Sequence, residues 1–284
     1  ACFGEVLWDL FFVLEKSAGG APFNVAYNLF KMGVDARMIS SVGDDSLGTA
    51  IIEKIKGWGM PTTSIQRSSN YPTSTVVATF DAHKEAQYDI VTNVAWDFIE
   101  VAASDMKLLT NEDAFVFGSL ATRNPQSRNS LFTLLENSTF NVFDINLRKP
   151  HYDLSIIKEL LHKTDLAKFN KAELLLLMEF LGKKYDSEEA IVSYLQDTFK
   201  LQEVIVSKGS KGALYAVNGN FYSYPAVAIT VADTVGSGDA FLAGFLSKRL
   251  EKAASVDAIM KQAVTLGAFI TSKEGACPEY TMSD

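Results

Sequence analysis

Apolar residues along this chain fall into two alternating spacings. Short runs rich in Val, Ile, Ala and Phe cover residues 2–7, 36–41, 114–117, 141–145, 166–169 and 204–206. Runs of that length and make-up predict strands buried on both faces. Between them, apolar positions recur every three or four residues over 21–32, 46–58, 126–136, 155–161, 171–181 and 187–199, and again over 240–250 and 256–271. Leu47, Ile51, Ile52 and Ile55 carry that spacing in the second of these segments; Pro22 stands at the start of the first, and Gly33 just past its end. Such placements are helix signals. Strand and helix alternating along a chain predict an α/β fold, with a mainly parallel central sheet and helices on both faces.

Residues 73–80 and 86–92 break the rhythm. Both alternate like strands, and the polar stretch 81–85 joins them with no helix between, which predicts a β-hairpin rather than a crossover. A hairpin off the main sheet serves as a lid or a contact surface, and the alternative is an edge extension of the same sheet. Residues 212–232 carry no charge but include Gly219, two asparagines and Pro225, so they read as a pair of strands rather than a membrane span. With no internal repeat and no linker, residues 1–284 are expected to form one domain, with lid elements around 10–18 and 70–95.

Composition narrows the function classes. The chain has 284 residues, 48% of them hydrophobic, which is ample for a large core. Its 34 acidic and 26 basic side chains give a net charge of −8, which argues against general nucleic-acid binding. Cys2 and Cys277 make no disulfide framework and no metal-ligand spacing, and no secretory signal is visible, so a reducing cytoplasm is expected. His83, His151 and His162 are scattered and read as surface or structural residues. Trp96, Phe98 and Tyr88 flank the hairpin, where packing is the better reading than a ligand wall.

The most informative run is Asp233-Thr234-Val235-Gly236-Ser237-Gly238-Asp239-Ala240-Phe241. A strand-like stretch over 227–231 leads into a glycine-rich turn, and an apolar helix follows at once. Successive amides at such a helix start converge on one spot, and the helix dipole adds to them, so the place suits an anion. Gly236 and Gly238 allow close backbone approach. Asp239, in the first turn, is placed to accept a proton from a hydroxyl while the amides stabilise a transferring phosphoryl group. Taken alone, the same residues could make only a tight turn and a helix cap.

The run resembles the C-terminal signature of the ribokinase/PfkB family of sugar and nucleoside kinases. Gly19-Gly20-Ala21-Pro22-Phe23-Asn24-Val25-Ala26 resembles the glycine pair and helix start at that family's sugar site. Gly4-Glu5-Val6-Leu7-Trp8-Asp9, Phe143-Asp144-Ile145-Asn146-Leu147-Arg148 and Gly275-Ala276-Cys277-Pro278-Glu279-Tyr280 are similar to the fructokinase branch. The resemblance spans essentially the whole chain and implies a ribokinase-like three-layer fold with a β-hairpin lid. It implies that Asp239 is the general base and that the amides of Gly236, Ser237 and Gly238 form the anion hole. Asp9, Gly19, Gly20, Asn24 and Arg148 would bind the sugar, with Arg148 on the sugar or the transferred phosphate. Asp9 is expected in a loop after the first strand, at the carboxyl edge of the sheet.

Asn170-Lys171-Ala172-Glu173 resembles the family's N-x-x-E motif, which implies that Asn170 and Glu173 organise Mg²⁺ through water. A capping box at a helix start accounts for the same pair, and both readings can hold together. Ser207, Gly209 and Thr234 would contact the nucleotide, a plain turn being the alternative at 207–209. The resemblance further implies a monovalent cation, K⁺, near Asp233, Val235, Ile270, Lys273 and Gly275, held largely by carbonyls. The implied activity is ATP-dependent phosphorylation of a sugar, D-fructose at its 6-hydroxyl first. The alternatives are 2-keto-3-deoxygluconate, ribose or a nucleoside, or a non-catalytic sugar-binding relative. No nucleic-acid or membrane partner is expected, and the hairpin lid would pair two subunits in a homodimer.

Overall fold

The computed structural model describes residues 1–12, 15–80, 86–184, 186–251 and 253–283. The chain opens with β1 (Cys2–Phe3), β2 (Leu7–Phe12), β3 (Glu15–Gly19), α1 (Ala21–Lys31), β4 (Met38–Gly43), α2 (Ser46–Gly57) and β5 (Ile65–Ser68). There follow β6 (Ser74–Phe80), β7 (Ala86–Ile90), α3 (Ala103–Leu109), β8 (Phe115–Gly118), α4 (Pro125–Leu135), β9 (Asn141–Asp144) and α5 (Leu154–Leu161). The last part holds β10 (Leu166–Asn170), α6 (Lys171–Phe180), α7 (Glu188–Phe199), β11 (Glu203–Ser207), β12 (Ala213–Val217), β13 (Asn220–Tyr224), α8 (Ser237–Arg249) and α9 (Val256–Thr271).

Nine strands form the central sheet in the order β13-β12-β11-β10-β9-β8-β1-β4-β5. Pairing is parallel from β11 to β5, and the β12–β13 hairpin adds an antiparallel edge. Side chains alternate across the pleat. Phe115 and Phe117 of β8 enter one buried cluster with residues of α3 to α7, while Val116 enters the other with α1, α2, α8 and α9. This is the three-layer arrangement the apolar spacings predict.

The chain departs from expectation where the second sheet begins. Residues 2–7 do not make one strand: β1 ends at Phe3, Gly4 turns at φ 142°, and the chain restarts as β2 in a separate four-stranded sheet, order β3-β2-β6-β7. Asp9 therefore lies within a strand, paired with Ser17 of β3 and Val76 of β6, and not in a loop after the first strand. The hairpin β6–β7 is present, with Val76 opposite Ile90, and belongs to this second sheet rather than to an edge of the first. Its joint at 81–85 (with His83), residues 13–14, and the side chain of Tyr88 lie outside the described residues. Residues 227–231 are not a strand, because no neighbour pairs with them; Val227, Ile229 and Val231 are exposed. Strand β5 and helix α3 carry too short a pattern to be read from sequence.

Trp96 is fully buried with the Arg123 guanidinium 4.0 Å from its ring, and Phe98 stacks on Tyr71, so both are packing residues. No helix among the described residues is long and apolar enough to cross a membrane. In the same buried cluster as Trp96, Phe117 stacks on Phe143 with centroids 4.8 Å apart, and neither ring is exposed. Phe117→Ala is expected to lower stability by about 3–5 kcal/mol, seen as an earlier midpoint in urea. An unchanged midpoint would contradict this account of the core.

Candidate active site

The glycine-rich turn places three things at one point. Gly236 caps α8 at φ 75°, and a Cβ there would lie 2.4 Å from that of Ala276, so only glycine fits. Ala240 makes the first helical bond, to the Gly236 carbonyl at 2.8 Å, and the Ser237 amide donates to the Thr234 carbonyl at 3.3 Å. The amides of Gly238 and Asp239 lie ahead of the helical ladder, at the positive end of the dipole. Thr271 of α9 donates to the Ser237 hydroxyl at 2.8 Å and fixes the turn from behind.

Asp239 is partly buried in that first turn. Asn24 of α1, itself 4% exposed, donates from its amide nitrogen to Asp239 Oδ2 at 2.8 Å. The Cys277 thiol donates to Asn24 Oδ1 at 3.4 Å, which fixes which end of the amide faces the carboxylate. Burial raises the Asp239 carboxyl to about 6, with the Asp144 charge adding to it; the Asn24 bond, Lys168 and Arg148 pull the other way.

Asp9 and the glycine pair adjoin this group. A Cβ on Gly19 would lie 2.3 Å from Asp9 Oδ2 and 3.9 Å from Asn24 Oδ1, so side chain and turn touch. Gly20 takes φ 120°, and a Cβ there would meet the Glu5 carbonyl at 2.3 Å. Burial raises Asp9 to about 6, helped by the charges of Asp233 and Asp239 and opposed by Arg148. Arg148 is exposed and lies within electrostatic range of Asp9, Asp239 and Glu5, whose carboxyls its charge pulls down.

A second group lies along the ends of β10 and β11. Asn170 and Glu173 form the capping box: Asn170 Oδ1 accepts from the Glu173 amide at 2.9 Å, and Glu173 Oε2 accepts from the Asn170 amide at 2.8 Å. Glu173 Oε1 accepts from the Leu147 amide at 3.0 Å, so each of its oxygens already holds a backbone donor. A hollow of about 500 Å³ opens beside them, lined by Asn170, Lys171, Ala172, Glu188, Ser207, Lys208, Gly209 and Lys211, with Glu188 paired to Lys208 at 3.0 Å and to Lys171 at 3.9 Å. Asp233 joins two loops, accepting from the Val235 amide at 3.0 Å and the Gly275 amide at 3.1 Å. The Ile270 carbonyl accepts from the Lys273 amide at 2.9 Å.

A turn of amides and a carboxyl held by an amide, beside a hollow that carries three lysines and Glu188, suit transfer of an anionic group. Comparison with known proteins decides the family, because the pfkB family carbohydrate kinase profile matches residues 10–281. The chain belongs to the pfkB family of carbohydrate kinases. Fructokinase of Escherichia coli is 25% identical over 273 residues, covering 91% of this chain and 87% of that protein. A putative sugar kinase of Pyrococcus horikoshii is 28% identical over 306 residues, covering 97% and 91%. Among solved structures, fructokinase of Vibrio cholerae O395, in a fructose-, ADP- and calcium-bound form, superposes with a TM-score of 0.82 at 25% identity, covering 97% and 93%.

As a pfkB kinase, the protein is a phosphotransferase with an alcohol acceptor. The fold brings Asp9, Gly19, Gly20, Asn24, Arg148 and the α8 turn to one place, with Asn170, Glu173, Ser207 and Gly209 grouped at neighbouring strand ends. Sequence reasoning missed two groups beside Asp239. Lys168 and Asp144 form a buried pair at 2.7 Å, and Glu5 is buried with Oε1 accepting from the Ala21 amide at the start of α1. Burial raises Glu5 to about 7. Only Lys168 left a signal, a charged residue inside the apolar run of β10, whereas Glu5 lies between β1 and β2 and Asp144 ends β9.

The Asn24 bond favours the ionised form of Asp239, so its loss must raise the carboxyl further. A ¹³C carboxyl titration, assigned by difference with Asp239→Asn, is expected to show a midpoint near 6 in the wild type. In Asn24→Ala that midpoint should move to higher pH; an unmoved or lowered midpoint would contradict the geometry.

Proposed function

We propose that this kinase transfers the γ-phosphoryl group of ATP to the 6-hydroxyl of D-fructose, giving fructose 6-phosphate. The carrying observation is Asp239, oriented by Asn24, in the first turn of α8 beside Asp9. Fructokinases among the relatives, and fructose with ADP in the Vibrio cholerae structure, support the choice of sugar and nucleotide.

In this reading Asp9, Gly19, Gly20 and Arg148 hold the sugar. Asn24 shares its amide between sugar and base. Asp239 takes the proton from the 6-hydroxyl as the oxygen attacks the γ-phosphorus. Its carboxyl near 6 is largely ionised at neutral pH yet basic enough to accept that proton. The amides at Gly236 and Gly238 and the dipole of α8 receive the charge of the phosphoryl group, with the Gly238 amide ahead of the helical ladder and the Ser237 amide already donating to the Thr234 carbonyl. The nucleotide follows the hollow at Ser207 and Gly209 toward Thr234.

Among the described residues, no cluster of three or more His, Cys, Asp or Glu side chains is arranged to hold a metal. Both oxygens of Glu173 already accept amides, which fits a hard cation carried on the phosphates and reached through water. Asn170 and Glu173 would hold Mg²⁺ through water, and the ion would supply positive charge to the phosphates. K⁺ is assigned to the joined loops of Asp233, Val235, Ile270, Lys273 and Gly275. The second sheet acts as the lid over the sugar, and pairing of two such sheets would make a homodimer. The working compartment is the cytoplasm.

A sugar-dependent ADP-release assay over fructose, ribose, 2-keto-3-deoxygluconate and a nucleoside tests the substrate. Fructose should give the highest kcat/KM of the set. A higher value for any other member would overturn fructose in favour of that substrate.

A further inference from the structure

The buried pair Lys168–Asp144 is placed where a purely structural ion pair gains little. Asp144 ends β9 and Lys168 lies opposite it on β10. Both alternate onto the sheet face that α8 covers, in line with Val142 and Leu166 of the same strands. Lys168 Nζ donates to Asp144 Oδ2 at 2.7 Å, with side-chain exposures of 6% and 7%. A Cβ on Gly238 would lie 3.4 Å from Lys168 Nζ, so the ammonium rests against the first turn of α8.

That turn is the positive end of a helix, where a cation is repelled. Burying two charges is costly, and a pair of packed apolar residues is often as stable. The arrangement opposes both tendencies. Burial pulls the Lys168 ammonium toward neutrality, but Asp144 with its hydrogen bond, and the nearby charges of Glu173 and Asp239, outweigh this and hold it protonated. Asp144 takes one of three N–H donors on the ammonium. An anion seated against the α8 turn reconciles these features, since it attracts the helix end and the lysine together.

We propose that Lys168 is a further catalytic residue, whose ammonium donates to the transferring phosphoryl group from the sheet side while the α8 amides hold it from the helix side. Asp144 is the positioning residue that keeps the ammonium there. This rests on the phosphoryl-transfer reading of the site. In the step, a bond forms between the sugar oxygen and the γ-phosphorus as the bond to the β,γ-bridging oxygen breaks. The hydroxyl proton goes to Asp239, ADP leaves with the bond pair, and Lys168 keeps its protons throughout. Gly238 keeps a side chain from standing between the lysine and the helix start.

The test compares wild type, Lys168→Met and the double variant Asp144→Asn/Lys168→Met, which buries no unpaired charge. Sugar-dependent ADP release should fall by about 100- to 1,000-fold in kcat in both variants, with fructose affinity by calorimetry near that of wild type. ADP with aluminium fluoride and fructose should bind the wild type more tightly than ADP alone, and the variants should lose that gain. Recovery of near-wild-type kcat in the double variant would show that Lys168 only neutralises Asp144, and would overturn the proposal. If Lys168→Met fails to fold, the double variant carries the same comparison. Wild-type enzyme releasing no ADP with any sugar would sink the phosphoryl-transfer reading and this proposal with it, whereas an active enzyme indifferent to Lys168 sinks this proposal alone.

Discussion

The hydrogen bond from Asn24 to Asp239 joins two helices whose partners are 215 positions apart in sequence. Helices α1 and α8 pack on the same face of the sheet, and this bond fixes their starts against each other. Much of the site hangs from α1. Its first amide is held by Glu5, and its glycine pair lies against Asp9 and the Glu5 backbone. One turn on, Tyr27 donates to the Pro278 carbonyl at 2.5 Å, while Tyr280 donates to Asn28 at 2.9 Å. The same helix therefore orients the carboxyl and anchors the C-terminal loop whose Ala276 packs on Gly236.

A protein of net charge −8 that handles anions must build its positive potential locally. In the proposed reading it does so with backbone amides at a helix start and with a few cations set around them. Arg148 stands near them in an exposed loop, and Lys168 lies on the sheet against the first turn of α8. The carboxyls of Asp9 and Asp239 stand in the same space, and burial raises each to about 6. Such a site is unfavourable when empty, and a local conflict of that kind is expected where function rather than stability sets the residues.

The layers and most elements were legible because two-sided burial leaves unbroken apolar runs and helices leave a period of 3.6. Helix α9 has the bounds its pattern predicts. The second sheet was legible only as the hairpin β6–β7. Its other half, β2 and β3, follows β1 after a turn at Gly4, a single glycine that a strand pattern also admits, so Asp9 read as a loop residue. Over 227–231, β-branched residues alternate as in a strand, yet no partner lies beside them, and pattern alone cannot supply one. At the site, glycine spacing announced the turn at Gly236, because the backbone there admits no side chain. A lysine inside the apolar run of β10 stands out in sequence, but its partner Asp144 does not, because their pairing depends on the register of two neighbouring strands.

The central claim is that Asp239 removes the proton and does little of the sugar binding. Turnover and fructose binding measured together on Asp239→Asn test it most directly. The account predicts a loss in kcat of at least about 100-fold, the lower range for a positioned general base, while calorimetry shows fructose still bound. Near-wild-type turnover in that variant would contradict it.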